Sequence, residues 1–299
     1  MVRNLYICYP SIERETQPMT KTTAANQSQA DQIRALKRRK EQRFSLGVNL
    51  SYGVLFLLLI YAFSGIKFNL FGLQFSTISL DTAFIAENWY FIFNGVWLTI
   101  LLSVLSIALA TVLSLLGALG RLSKYPPAYA LATFYISLIR GTPLLLQIIF
   151  FFLALPQLGI RLTGLWAGVL ALGLNYGAYN TEIMRAGIQA VDIGQREAAL
   201  AIGMTQGQIM RRILLPQALR LVIPPIGNQF IAMLKDTSLI SVTGFVWELL
   251  WRAQKLGRAS FRSLEALLIA AVFYWIITIL FSIVQANIEE RLARGVRTA

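Results

Sequence analysis

REAALAIGMTQGQIMRRILLP, residues 196–216, is the stretch on which the reading of the fold turns. Glu197, Ala198 and Ala199 favour helix, and Gly203 stands where a helix C-terminus needs a left-handed residue. Thr205, followed three positions on by Gln208, is a capping-box pattern that opens a second short helix. Pro216 lacks a backbone donor and restricts Leu215, so the second helix is expected to stop or bend there. Two short helices therefore meet at a glycine corner, in a polar stretch flanked by apolar sequence.

Two settings suit such a corner. Alone, the pattern from Ala199 through Gly203, Thr205 and Ile209 to Arg211 and Arg212 resembles a helix-turn-helix whose basic tail contacts DNA phosphates. That reading needs a soluble three-helix core, yet the flanks are apolar segments long enough to cross a membrane. Of 299 residues, 56% are hydrophobic and 14% charged, with a mean hydropathy of +0.61; a soluble domain is about a quarter charged. A polytopic membrane protein follows, with a membrane-anchored helix-turn-helix as an alternative. The net charge of +13 suggests nucleic acid in a soluble chain, but it equally reflects lysines and arginines retained in cytoplasmic segments. The single cysteine, Cys8, excludes an intrachain disulfide and a cysteine-based metal site. The absence of histidine excludes imidazole as base, relay or ligand.

Residues 1–45 are rich in Thr, Gln, Ser and charge, and are expected to be a disordered basic cytoplasmic tail. No apolar core follows early enough for a secretory signal, and Met19 is an alternative start to Met1. The run Arg34, Lys37, Arg38, Arg39, Lys40 and Arg43 reads as a positive-inside anchor, or as a contact for anionic lipid or a partner. Leu46 to Phe63 forms a first span, and residues 64–88, poor in positive charge, an external loop. Trp89 and Tyr90 are an interfacial pair before a second span from Phe91 to Leu119.

Pro127 to Pro156 is too long for one straight crossing and too short for two. Arg140-Gly141-Thr142-Pro143 interrupts it, so one tilted or broken helix is expected, its break facing protein or a water-filled cavity. The fourth span runs from Trp166 to near Ile188. Its Asn175, Tyr176, Tyr179, Asn180, Glu182 and Arg185 are too polar for a lipid face, and Glu182 and Arg185 lie one turn apart, either as an ion pair or as a ligand contact. The cytoplasmic loop 191–221 follows. Residues 222–245 then form a broken fifth span in which Lys235, Asp236, Thr237 and Ser238 mark either a satisfied network or a solute pathway. Arg252, Lys255, Arg258 and Arg262 then fall on the outer side, against the positive-inside expectation. An acidic external partner accounts for them, and so does a segment lying in the membrane interface. Leu264 to Ile288 closes the count. The expectation is an all-α integral membrane protein with six transmembrane helices and both termini cytoplasmic, the last tail being 291–299.

Several motifs now carry a resemblance. Glu197-Ala198-Ala199, Gly203 and Ile213-x-Leu215-Pro216 match the EAA signature of permease subunits of binding-protein-dependent ABC importers. Four further motifs resemble the polar amino acid subgroup of that family. They are Arg140-Gly141-Thr142-Pro143-Leu144-Leu145, the run from Ala178 to Val191, Leu215 to Arg220, and Gly227-Asn228-Gln229-Phe230 with Leu234 to Leu239. The resemblance covers about residues 90–295 and assigns 89–290 as a five-helix permease core, leaving 46–63 as an extra N-terminal helix.

The resemblance implies a subunit in the bacterial plasma (inner) membrane that forms half of an amino acid import path. Its corner, through Glu197, Ala198, Ala199, Gly203, Ile213, Leu215 and Pro216, docks on a cytoplasmic ABC ATPase dimer and turns ATPase closure into alternating access. No Gly-x-x-x-x-Gly-Lys-Ser/Thr loop is present, so ATP and Mg are expected on the partner, and no cofactor on this chain. A second permease, identical or similar, and an external amino-acid-binding protein complete the implied assembly, with membrane lipid and without nucleic acid. A zwitterionic cargo needs groups for both its charges. Arg140 is a candidate for the carboxylate, and Glu182 or Asp236 for the ammonium. Thr142, Asn228, Gln229, Lys235, Thr237 and Ser238 complete the candidate path, though these side chains also suit pairing among themselves. A secondary, ion-coupled amino acid transporter is the alternative function.

Overall fold

The computed structural model describes residues 24–70 and 73–297. The chain divides into two compact units, residues 1–80 and 81–299.

In the first unit, helix α1 (Ala24–Ala62) runs for 39 residues, about 58 Å at the usual rise per residue. Its Ala35–Ala62 portion is long and apolar enough to cross a membrane. The disorder expected over 1–45 is corrected for residues 24–45, which are helical. Charge is no barrier there: the segment is rich in Ala, Gln, Arg and Lys, with no proline or glycine before Gly47. The reading of residues 1–23, with the alternative start at Met19, lies outside the described residues. Within the expected external loop, strands β1 (Lys67–Leu70) and β2 (Leu73–Ser76) pair antiparallel, Phe68 opposite Phe75. This hairpin is a departure from an all-helical chain.

The second unit opens with α2 (Thr82–Phe93), so the expected loop already turns helical at its end. Asp81 caps it by accepting from the Phe84 amide at 3.0 Å. After Asn94 and Gly95 the chain continues as α3 (Val96–Leu122). Next come α4 (Pro126–Arg140) and α5 (Leu144–Ile149), the latter extended by a π turn, Phe150–Ala154, and a 3-10 turn, Leu155–Leu158. The expected break at Gly141-Thr142-Pro143 is present, and it bends the two halves by 101°. Then follow α6 (Gly164–Gln189), α7 (Ile193–Ala201), α8 (Gln206–Ile209), a π turn at Met210–Leu214 and α9 (Leu215–Asp236). A 3-10 stretch, Thr237–Thr243, leads to α10 (Leu249–Ser260) and α11 (Ser263–Arg297).

Three helical stretches among the described residues are long and apolar enough to span, or four if α4 and its bent continuation are one. The fold is thus helical with several apolar spans. Helix α6 tolerates its polar residues because most of it is buried among the others, whereas α9 is largely half-buried.

Small residues hold this unit together. Thr99, Ser103, Ser106, Ala110, Ser114 and Gly117 form a buried stripe on α3 at steps of three or four. Opposite, α6 presents Gly173, Gly177 and Thr181, all buried. Among lipid chains, association gains from close backbone approach rather than from expelling water, and small side chains permit it. Gly95 shows how close the fit is: a Cβ there stands 2.7 Å from both the Cα and the backbone N of Leu249. Gly95→Ala is therefore expected to push α10 away and destabilise the bundle by about 1–3 kcal/mol. A lower melting temperature in detergent reads this out, and an unchanged one refutes it.

Candidate functional site

The corner at one end of the bundle follows from local sequence. Asp192 caps α7 by accepting from the Gly194 amide at 2.7 Å. At its other end Gly203 adopts φ +80°. The Met204 amide then reaches the Ala199 carbonyl at 3.1 Å and the Gly203 amide the Leu200 carbonyl at 3.0 Å, the two bonds of a Schellman cap. Thr205 and Gln208 form the reciprocal box, the Thr205 amide donating to Gln208 Oε1 at 2.9 Å and the Gln208 amide to Thr205 Oγ1 at 3.4 Å. Arg196 donates to Gln206 Oε1 at 3.2 Å and ties α7 to the start of α8. Ala199 and Ile209 are buried beneath the corner, whereas Glu197 and Ala198 are exposed, as are Ile193 at 72% and Ile202 at 78%. A rigid, capped element thus presents a carboxylate and bare aliphatic side chains outward.

Pro216 does not stop the helix, which corrects that part of the expectation: helical structure continues past it into α9. The π turn at Met210–Leu214 widens the helix, the Leu215 amide reaching back to the Met210 carbonyl. The wider turn makes room for the proline ring, which otherwise collides with the carbonyl four residues back. Ile213 and Leu215 are half-buried and Pro216 is exposed. The corner therefore runs into α9 without a break in helical structure, and the next irregularity is the Pro224-Pro225 pair inside α9.

A second polar group lies halfway along α6. The Tyr176 hydroxyl donates to Asp236 Oδ2 at 2.8 Å, at the last residue of α9. No ion pair to Asp236 occurs among the described residues. Thr237 is fully buried, its hydroxyl donating to the Leu234 carbonyl at 2.8 Å, and Ser238 and Gln229 are half-buried. Asn228 and Lys235 are exposed, seven residues apart on one face of α9. Asn180, one turn from Tyr176 on α6, is fully buried with neither amide atom partnered.

The break after Arg140 is locked by a residue that the sequence reading passes over. Gln147 Nε2 lies 2.8 Å from both the Ile139 carbonyl and Thr142 Oγ1, and its Oε1 accepts from Asn175 Nδ2 at 3.2 Å. The signal was a lone amide in the apolar run after Pro143. Arg140 is held elsewhere, its guanidinium 5.0 Å from the centroid of the Tyr179 ring. Glu182 pairs with Arg185 at 2.8 Å and lies 3.8 Å from Arg121. Six residues beyond Tyr176, it sits about 9 Å further along α6. The candidates thus separate into an inner ion pair around Glu182 and a mid-helix group around Asp236. No ion pair among the described residues joins Arg140 to Asp236.

A further unforeseen carboxylate is Glu248, fully buried at the start of α10. It accepts from the Trp251 amide at 2.6 Å, the Leu250 amide at 2.8 Å and the Tyr274 hydroxyl at 2.7 Å. It therefore fixes α10 against α11.

Comparison with known proteins agrees on one family. Residues 110–294 match the family described as binding-protein-dependent transport system inner membrane component. The L-cystine transport system permease protein TcyB of Bacillus subtilis is 43% identical over 209 residues, 70% of this chain and 89% of that protein. The arginine transport system permease protein ArtQ of the same organism is 37% identical, over 72% of this chain and 98% of that one. The glutamine transport system permease protein GlnP of Escherichia coli K12 is 38% identical, over 67% and 91%. A crystal structure of an amino acid ABC transporter with histidines superposes with a TM-score of 0.67 at 37% identity, covering 71% of this chain and 99% of that one. An inward-facing MetNI methionine ABC transporter, 18% identical with a TM-score of 0.61, shares the fold.

Proposed function

Because the chain belongs to the family of binding-protein-dependent transport system inner membrane components, we propose that it passes amino acids across the membrane along a path lined by Asp236 and Tyr176. It is a multi-pass inner-membrane permease subunit of an ABC amino acid importer, and it has no ATPase domain of its own.

The observation that carries the proposed path is the Asp236 carboxylate: midway along α6, on the Tyr176 hydroxyl, and without a cationic partner among the described residues. A carboxylate at that depth is costly unless something positive visits it. The ammonium group of an amino acid is such a visitor. Ser238 and Gln229, half-buried on the same stretch of chain, and Asn180, one turn from Tyr176, offer neutral polar groups along the path, while the Thr237 hydroxyl is spent on the Leu234 carbonyl. Weak, multiple hydrogen bonds suit a cargo that has to leave again. Glu182, engaged by two arginines, serves the inner end of the bundle, Thr142 and Gln147 hold the break between α4 and α5, and Arg140 rests on Tyr179.

In this reading the corner at 196–216 rests on a cytoplasmic ATPase dimer that binds ATP and Mg, and Glu197 with the exposed isoleucines meets its surface. Closure of that dimer moves α7 and α8, and the unbroken helical run into α9 carries the motion towards Asp236. Six spans with both termini inside, a second permease and an external amino-acid-binding protein complete the assembly. Reconstitution with the co-purifying subunits and a screen of labelled amino acids tests this. The expected result is uptake that requires both ATP and the binding protein. Uptake driven by an ion gradient without ATP refutes it.

A further inference from the structure

Helix α10 lies at the end of the bundle opposite the corner. Gly95, at the start of α3, packs on Leu249, and Gly164, at the start of α6, on Val246. With the corner in the cytoplasm, as the proposed function has it, α10 faces outward. One of its faces is buried: Leu249, Ala253 and Leu256 pack with Ala266 and Ile269 of α11. The other bears Trp251, Gln254, Lys255 and Arg258, spaced three and four apart.

That outward stripe is basic and ordered. Trp247 and Trp251 stack with centroids 5.3 Å apart and planes 4° apart, and Lys255 Nζ stands 5.2 and 5.0 Å from the two rings. Arg252 is pinned by its bonds to the Trp247 and Phe91 carbonyls at 3.0 and 3.1 Å. Arg262 is neutralised by Asp81 at 3.2 Å and Glu265 at 3.6 Å. Lys255 and Arg258 have no acidic partner within 4 Å among the described residues. Together with Ser241, Gly244, Trp251 and Gln254 they line an open groove of about 820 Å³ between α10 and the 3-10 stretch before it.

Cations on the outer side run against the rule that governs membrane topology, so some other demand retains them. A helix lying in the lipid interface turns its apolar face to the bilayer, but here that face is already spent on α11. What remains exposed is a wet, positively charged, stiffened surface with aromatic rings beneath it, the makeup of a protein-binding rim. We propose that the face of α10 carrying Gln254, Lys255 and Arg258 docks an acidic surface of the external amino-acid-binding protein. The assignment rests on the importer reading.

The test is the K255E/R258E double variant, assembled with its ATPase in phosphatidylcholine vesicles with and without phosphatidylglycerol. ATP hydrolysis is followed against the concentration of the importer's own binding protein, loaded with its amino acid. The expected result is a half-saturating concentration raised at least tenfold, with the rate at saturation close to wild type. Added salt should raise the wild-type value and leave the variant flat or improved, because screening weakens attraction and repulsion alike. If reversal prevents assembly, K255Q/R258Q serves, with a smaller shift in the same direction. An unchanged half-saturation overturns the proposal. A difference that appears only with phosphatidylglycerol also overturns it and assigns the stripe to lipid headgroups. A wild-type complex indifferent to the binding protein overturns the importer reading and this assignment with it.

Discussion

Gly203→Val is expected to cut ATP-dependent uptake at least tenfold while the chain still enters the membrane. At φ +80° an L-residue meets its own carbonyl, at about 1–2 kcal/mol, and a β-branched residue fares worse. Escape from that conformation breaks the Met204–Ala199 and Gly203–Leu200 bonds, each worth about 0.5–1.5 kcal/mol. Together these shift the corner from one conformation to many. No atom lies within 4 Å of a Cβ placed at this position, so the effect comes from the backbone alone. Asn, which tolerates the left-handed region, should therefore retain much more uptake than Val. Equal loss in Gly203→Asn and Gly203→Val would mean that something other than backbone shape matters there. Uptake and ATP hydrolysis measured on the same vesicles separate the outcomes, since a loosened corner lets hydrolysis continue without transport.

The second large effect is expected at Asp236. Asp236→Asn keeps the size of the side chain and a hydrogen bond with Tyr176, but removes the charge. If the carboxylate faces the cargo ammonium, uptake should fall on the order of a hundredfold, matching a lost charged hydrogen bond of about 1.5–3 kcal/mol. Asp236→Glu should retain a measurable part, and Tyr176→Phe should cost less than Asp236→Asn because the charge remains. Uptake of labelled amino acid at several concentrations reads the effect as a raised half-saturation. An Asp236→Asn protein with normal uptake once assembled, but a poor yield of complex, would make Asp236 a structural residue and sink its part in the path.

What could be read from the chain depended on how far apart the interacting groups stand. Thr205, Gln208 and Gly203 are legible because the box and the cap close within six residues, where the chain fixes the partners itself. Asp236 is legible as an expensive group in an apolar setting, but its partner Tyr176 lies sixty positions away and depends on how α6 meets α9. The prolines and glycines mark where α4 breaks. The 101° bend depends on Gln147 and Asn175, a contact no local pattern announces. Residues 24–45 show a different failure: weight on charge suggested disorder, whereas the absence of helix breakers was the better guide. At Pro216 the rule for proline holds in its chemistry, but a π turn ending two residues earlier lets the helix continue.

That π turn has an effect on phase. Five residues in place of four between hydrogen-bonded groups amount to one residue inserted into the helix, a rotation of about 100°. Everything from Leu215 onward, including the face that brings Asp236 to Tyr176, is clocked by that angle relative to α8. Shortening the turn to α-helical pitch would change the phase of α9 by that angle, and with it the face on which Asp236, about 33 Å along the helix from Leu214, meets Tyr176.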